Sequence, residues 1–289
     1  MSPVRDDIGL FDRHRGAMFG LAYRMLGDAA EAEDMVQEAY LRWAGQGRPT
    51  PASPGAYFST VVTRLCLDHL RSARLRRTDY VGPWLPEPLP ADEETDPVER
   101  ADDLSVAFLL LLERLSPPER AVFLLRQAFE LDYADIAAAV DRSEAHCRKL
   151  FSRARRSLAR ETPRHRPTPA EHAELLARFA AAYRDGDMDG LLAVLAPDST
   201  LVADSGGKVP AARRPIHSAE RVARFLTRIR PISFRRAQAE FVTLNGEPGL
   251  ALFENGRARS AIAIEIEAGR IRGIFIQRNP DKLRRIVRP

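Results

Sequence analysis

The stretch from Leu115 to Arg160, LSPPERAVFLLRQAFELDYADIAAAVDRSEAHCRKLFSRARRSLAR, constrains this chain more than any other. Ser116 is placed to cap a helix, with Pro117 at the first helical position and Glu119 closing a capping box. Asp132 and Asp135 repeat the device, and Ile136, Ala137 and Val140 then give a short apolar face. Asp141-Arg142 breaks that face, and Ser143 can cap the next helix. In this last helix Cys147, Leu150, Phe151, Ala154 and Leu158 recur at helical spacing, so one side packs inward. The remaining sides carry Arg148, Lys149, Arg153, Arg155, Arg156 and Arg160, with no acid after Glu144. A short helix, a tight turn and a basic second helix form the geometry that delivers side chains into a DNA major groove. A basic helix alone could equally be the solvated side of a helical hairpin. The caps and the turn, in register with it, favour DNA binding.

A length of 289 residues suits about two domains, and 45% hydrophobic residues argue against global disorder. No apolar run has membrane-spanning length, and Met1-Ser2-Pro3-Val4-Arg5 does not open a signal segment, so a cytoplasmic location is expected. Cys66 and Cys147 both fall on apolar helix faces and read as buried thiols in a reducing compartment. No disulfide, metal site or cofactor is expected from them. The net charge of +4 says little, but its distribution says more: basic blocks at 64–77, 148–166 and 278–288 and an acidic block at 87–103. Such segregation suggests a polyanionic partner, with one segment mimicking or masking for another.

Taken in order, Phe11–Leu26 and Ala30–Ala44 read as amphipathic helices. The second hides Met35, Val36, Ala39, Tyr40 and Trp43 and exposes Glu31, Glu33, Asp34 and Glu38, which alone would be an ordinary solvated face. Gly45–Thr50 is a polar break. Ser53-Pro54 then starts a third helix pair running to Arg77, with Val62, Leu65, Cys66 and Leu70 inward. Arg64, Arg71, Arg74, Arg76 and Arg77 face out beside Asp68 and His69, again a composition suited to phosphate. Tyr57 and Phe58 are suited to stacking on unpaired bases or to the core.

Asp34-Met35-Val36-Gln37-Glu38-Ala39-Tyr40 with Trp43, then Leu67-Asp68-His69-Leu70-Arg71, then the helix-turn-helix, resemble a bacterial RNA polymerase sigma factor of the extracytoplasmic-function (ECF) class. The resemblance covers Leu10 to about Leu158 in the family's order; Tyr40 stands where the family often has Phe. It implies that Asp34, Gln37, Glu38 and Trp43 dock on the β′ clamp helices of core RNA polymerase. Arg64, Asp68, His69, Arg71, Arg74 and Arg77 would read and melt the promoter's minus-ten element. Ser143, Glu144, His146, Arg148, Lys149, Arg153, Arg155 and Arg156 would engage the minus-thirty-five element. Base edges carry sequence information and phosphates fix register, so residues near the start of that helix are the readers and Arg153, Arg155 and Arg156 the backbone contacts.

Thr78–Asp103 reads as a linker whose prolines at 83, 86, 88 and 90 favour an extended path. Trp84 within it needs either a docking site or the adjacent helix to pack on, and Asp92, Glu93, Glu94 and Asp96 could thread a cationic channel. Asp96-Pro97-x-Glu99 would cap a helix over 97–115. Trp84-Leu85-Pro86-Glu87-Pro88 resembles the sigma-J-like subgroup, whose members carry a SnoaL-like extension. Beyond a second linker, helices and then strands near 200–203, 234–243, 249–255, 258–267 and 270–278 make an α+β domain with a curved antiparallel sheet, similar to the NTF2-like cone, with one face of the sheet buried at Ile262, Ile264 and Ile266. The resemblance gives a regulatory role to Trp84, Leu85, Pro86, Glu87, Asp204, Asn279, Pro280, Asp281, Lys282 and Leu283, with Ser205 replacing a glycine of the subgroup's Asp-Gly-rich turn.

Catalysis is not expected. Asp204 and His217 could form an acid–base pair, but a turn aspartate and a surface histidine are the simpler reading. The expected layout is multidomain: an all-α domain over 1–80, a linker over 81–103, an all-α helix-turn-helix domain over 104–162 and an NTF2-like domain over 163–289. The expected function is a sigma factor regulated in cis through contact between the extension and the sigma domains. A polymerase-independent regulator with a sensing cone leaves the 30–44 helix and the Trp84 motif without a role, and an enzyme lacks its constellation. The sequence assigns the cone no ligand.

Overall fold

A computed structural model describes residues 3–46, 51–76, 80–90, 104–159 and 167–288. The chain divides into two compact units. Among the described residues the first holds 3–46, 51–76 and 109–159, and the second holds 80–90, 104–108 and 167–288. The residues of the two helical domains expected from the sequence thus fall almost wholly in the first unit, and the described part of the linker falls in the second. The Asp92–Asp96 acids, the Asp96–Glu99 cap, Arg77 and Arg160 lie outside the described residues, as does the side chain of Arg74.

The first unit begins with α1 (Pro3–Leu26), α2 (Ala29–Gly45) and α3 (Pro54–Arg76). The third helix pair expected from the sequence is a single helix, because nothing after Gly55 interrupts its apolar spacing. Asp28 caps α2 by accepting from the Glu31 N–H at 3.0 Å. Phe11, Tyr40, Trp43 and Phe58 meet at ring distances of 5.0–6.2 Å and join the three helices. α4 (Val106–Glu113), α5 (Pro117–Gln127), α6 (Tyr133–Val140) and α7 (Glu144–Ala159) follow. The Ser116 capping box and the Asp132 cap form as expected. Arg120, only 2% exposed, donates from Nη1 to the Met25 carbonyl at 2.5 Å and to Glu113 at 2.6 Å, tying α5 to the end of α1. Both cysteines are buried and free.

The second unit contains α8 (Pro169–Asp185), opened by the Thr168–Glu171 capping box, then α9 (Met188–Val194) and α10 (Ala219–Ser233). Six strands, β1 (Leu195–Asp204), β2 (Ile216–His217), β3 (Gln238–Leu244), β4 (Glu247–Glu254), β5 (Arg257–Glu267) and β6 (Arg270–Gln277), form one sheet in the order β2-β1-β6-β5-β4-β3. The helix-plus-sheet architecture is the one expected. The sheet is mixed rather than wholly antiparallel, because β1 runs parallel to β6. The β3–β4, β4–β5 and β5–β6 hairpins turn on Asn245-Gly246, Asn255-Gly256 and Ala268-Gly269, all at positive φ.

Phe179, Leu191, Val222, Leu226, Ile262 and Ile264 form the main core. The opposite face is not left to solvent at β5. Leu283 and Ile286 pack there with Leu244, Ala251, Phe253 and Ala261, so the C-terminal segment, with its 3-10 turn Pro280–Leu283, closes the second side. Among the described residues no helix is long and apolar enough to cross a membrane.

Candidate functional site

In the helical unit the turn before α7 is built by Asp141, held in the left-handed region at φ 54. The Asp141 N–H and the Arg142 N–H, the latter at 3.1 Å, both donate to the Ala137 carbonyl, closing α6 in a tight C-terminal turn. Ser143 Oγ then accepts from the His146 N–H at 3.3 Å. Cys147, Leu150, Ala154 and Leu158 pack inward, which leaves Ser143, Glu144, His146, Arg148, Lys149, Arg153, Arg155 and Arg156 exposed as expected. They are not equally free. Arg148 donates to Glu144 at 2.9 Å and its guanidinium lies 4.7 Å from the centre of the Tyr133 ring. Arg153 sits 3.7 Å from Glu119, and Arg156 bonds the Ser152 carbonyl at 3.3 Å. Lys149 and Arg155 have no ion pair among the described residues.

On α3, Arg64, Asp68 and Arg71 are exposed. Arg71 pairs with Asp68 at 2.8 Å, and Arg64 Nη2 donates to the Ala138 carbonyl on α6 at 2.6 Å. His69, grouped with the promoter-facing residues, is half-buried, with Nε2 3.1 Å from a carboxylate oxygen of Glu31 on α2. On α2, Asp34 and Gln37 are exposed one turn apart, and Glu38 is held by Arg42 at 2.9 Å. Trp43 does not join them at the surface. It is fully buried, because its large apolar area is taken up by the Phe11–Phe58 cluster. Phe58 is core as well, and Tyr57 bonds Gln46 at 3.2 Å.

The second site lies wholly in the C-terminal unit. Residues 80–90 run extended across it, and Leu85, Pro86, Glu87 and Pro88 are buried. The hold is chemical as well as apolar. Asp204, fully buried at the end of β1, takes the Tyr80 hydroxyl at 2.6 Å and the Gly206 N–H at 2.9 Å on one oxygen. Its other oxygen takes the Leu85 N–H at 2.9 Å, Lys282 Nζ at 2.8 Å and Gln277 Nε2 at 3.2 Å. Lys282 Nζ also donates to the Leu85 carbonyl at 2.6 Å. One buried ion pair thus takes both backbone groups of Leu85 and replaces the strand neighbour that an extended segment would otherwise require.

The aromatic residues complete the cage: Lys282 Nζ lies 4.4 Å from the Trp84 ring centre and 5.2 Å from that of Tyr80. Trp84 therefore docks on the C-terminal unit. Burial pushes the Asp204 carboxyl up, but the Lys282 charge and the bonds from Lys282, Tyr80 and Leu85 outweigh it and hold it below the usual carboxylate range. Burial and the Asp204 acceptor raise the Tyr80 phenol, which stays a donor.

Further along, Gln277 reaches the Pro86 carbonyl at 3.3 Å and Arg285 lies 3.5 Å from Glu87. Asn245 exchanges two bonds with the Leu89 backbone, at 2.7 and 3.2 Å. Asn279 donates to Tyr80 at 3.2 Å and caps the 3-10 turn through the Asp281 N–H; Asp281 pairs with Lys208 and with Arg284.

The regulatory residues expected from the sequence are thus brought together, and Asp204 is an anchor rather than a simple turn residue. It does not meet His217, whose Nδ1 lies 3.2 Å from Thr200 Oγ1. Sequence reasoning missed Tyr80, Gln277, Asn245 and Arg285. Gly206-Gly207 carried a usable signal: a Cβ on Gly206 would lie 2.7 Å from Asn279 Nδ2, and one on Gly207 2.9 Å from Val81, so the docked segment needs both glycines.

Comparison with known proteins bears on both sites. Residues 10–76 match the family model described as Sigma-70 region 2, and residues 105–158 match Sigma-70, region 4. The ECF RNA polymerase sigma factor SigJ of Mycobacterium tuberculosis (strain ATCC 25618 / H37Rv) is 38% identical, over 96% of this chain and 93% of that protein. The probable ECF RNA polymerase sigma factor SigI of the same strain is 33% identical, over 93% of this chain and 92% of its own length. The crystal structure of M. tuberculosis SigJ superposes with a TM-score of 0.75 at 35% identity, covering 95% of this chain and 97% of that one.

Proposed function

The chain belongs to the extracytoplasmic-function RNA polymerase sigma factors, and from that premise we propose how its parts divide the work. α2 offers Asp34 and Gln37, with Glu38, to the β′ clamp helices of core polymerase, while Trp43 keeps that face in shape from beneath. Arg71 and the arginines that follow it on α3 engage the minus-ten element. The start of α7, with Ser143, Glu144, His146, Arg148 and Lys149, reads the minus-thirty-five element. Arg153, Arg155 and Arg156 hold phosphates. Arg64 reaches DNA only after giving up the Ala138 carbonyl.

The C-terminal unit tunes this output in cis by holding residues 80–90, the segment that joins the two DNA-binding elements. The observation that carries the reading is the Asp204–Lys282 pair closed on both backbone groups of Leu85. A tethered partner works at an effective concentration of order millimolar, so a modest interface suffices to control where the segment goes. The test is transcription from a promoter library by core RNA polymerase with the wild-type chain and with Asp204→Asn. Polymerase-dependent initiation whose level changes in the variant is expected. Initiation at equal levels contradicts regulation through the anchor. DNA binding that ignores polymerase, with no initiation, favours a stand-alone regulator.

A further inference from the structure

The C-terminal unit has a partly open cavity of about 220 Å³ that the anchor does not use. Its wall is mostly apolar, with Ala203, Phe225, Ile229, Leu252, Ile262 and Ile276 contributing. Its polar groups are few and of one kind of chemistry. Arg278 and Arg259 both line it, together with Tyr183, Ser233 and Ser260. Arg259 is paired with Glu254 at 2.7 Å. Half-buried Arg278 has no carboxylate partner among the described residues and spends one N–H on the Pro210 carbonyl at 2.5 Å. It stands within electrostatic reach of Arg259 and of Tyr183, and burial together with the Arg259 charge lowers its affinity for its proton. Tyr183 donates to Ser233 at 2.8 Å. A guanidinium with donors to spare, a second cation beside it and an apolar chamber behind describe a receptor for one negative charge on an apolar body.

We propose that this cavity binds a small apolar monocarboxylate, its carboxylate on Arg278 beside Ser233 and Tyr183 and its hydrocarbon body between Phe225 and Ile262. Scaled from a cavity of about 150 Å³ that holds benzene, the space admits roughly nine non-hydrogen atoms, the size of an aromatic acid or a short fatty acid. Its occupancy is read by the anchor. The Arg278 N–H donates to the Asp204 carbonyl at 2.6 Å, and Arg278 lies between Gln277 and Asn279, both bonded to the docked segment or its aspartate. Ala203 in the cavity wall directly precedes Asp204. A ligand that draws on the Arg278 side chain therefore acts on the strand end that holds Leu85.

The test is calorimetric titration of the full chain with benzoate and octanoate, with benzamide as the neutral isostere, alongside tryptophan fluorescence. Benzoate and octanoate are expected to bind, benzamide at least tenfold more weakly. Arg278→Met should lose at least tenfold in affinity for the acids, and Arg278→Lys should recover part of it. Bound benzoate should also change the Trp84 emission, an effect absent in Trp84→Phe. No binding of either acid at millimolar concentration, or equal binding of benzoate and benzamide, overturns the proposal. That comparison needs no variant to fold. Binding with unchanged Trp84 emission overturns the link to the anchor.

Discussion

The polar contacts around α3 and α7 and those around residues 80–90 are built on opposite terms. Around α3 and α7 they are exposed and single: Arg64 to one carbonyl, Arg71 to Asp68, Arg148 to Glu144. Exposed pairs of this kind contribute about 0–1 kcal/mol and weaken with salt. Around residues 80–90 they are buried and shared: one carboxylate with several donors, one ammonium with a carboxylate, a carbonyl and two rings. The first arrangement leaves cations that can be handed to phosphate at little cost. The second fixes a segment in one place until something opposes it. The proposed division of work calls for both: contacts that can be traded for DNA around α3 and α7, and a firmly seated segment at 80–90.

The sharpest way to break this contrast is Asp204→Ala, which strands Lys282 without its counter-charge. A loss of about 3–5 kcal/mol from the C-terminal unit is expected in urea unfolding. A loss below about 1 kcal/mol would put the anchor on a par with the surface pairs. Next in size is Lys149→Ala, which should weaken promoter binding by about 1–3 kcal/mol and relax preference at one base position if a base contact is lost. Binding assays on single-position promoter variants check this, and a uniform loss across all of them would make Lys149 a phosphate contact instead. Arg64→Ala should cost only about 0.5–1 kcal/mol in the stability of the helical unit, read from thermal unfolding.

The smallest effect near neutral pH comes from His172, which is buried on α8 and whose proton affinity burial lowers, partly offset by the Pro248 carbonyl. With its folded pKa below the unfolded one, its contribution is complete above about pH 6.5 and falls away as pH drops through that value toward the folded one. His172→Leu should flatten that part of the pH–stability curve. Asp204, also depressed, sustains stability above the ordinary carboxylate range and loses it only in stronger acid. Stability that rises as pH drops below 6.5 would contradict the His172 assignment.

Legibility in the sequence followed the range of the interactions. The helix-turn-helix was readable because its signals are local: Ser116 to Glu119, Asp132 to Asp135 and the Cys147–Leu158 spacing all fall within a few residues. Trp84-Leu85-Pro86 and Asn279–Leu283 could be singled out as motifs, yet what they grip could not. Leu85 and Asp204 are separated by 119 positions and Tyr80 and Asn279 by 199, and no periodicity records such a pairing. The two-residue strand β2 and the parallel β1–β6 pairing escaped for the same reason. Helical spacing puts Trp43 on the inner side of its helix, where the ring packing also holds it, and only the family pattern groups it with the docking residues; the approach of His69 to Glu31 on a neighbouring helix is recorded by no spacing in the sequence.

The central claim is that an ion pair buried in the C-terminal unit holds the segment between the two DNA-binding elements. Amide hydrogen exchange at Leu85 and Leu89 in the full chain tests it most directly. Strong protection of Leu85 in the wild type is expected, lost in Asp204→Ala while the amides of α7 keep their rates. Exchange at Leu85 as fast as in an unstructured peptide, or protection that survives removal of Asp204, would contradict the account.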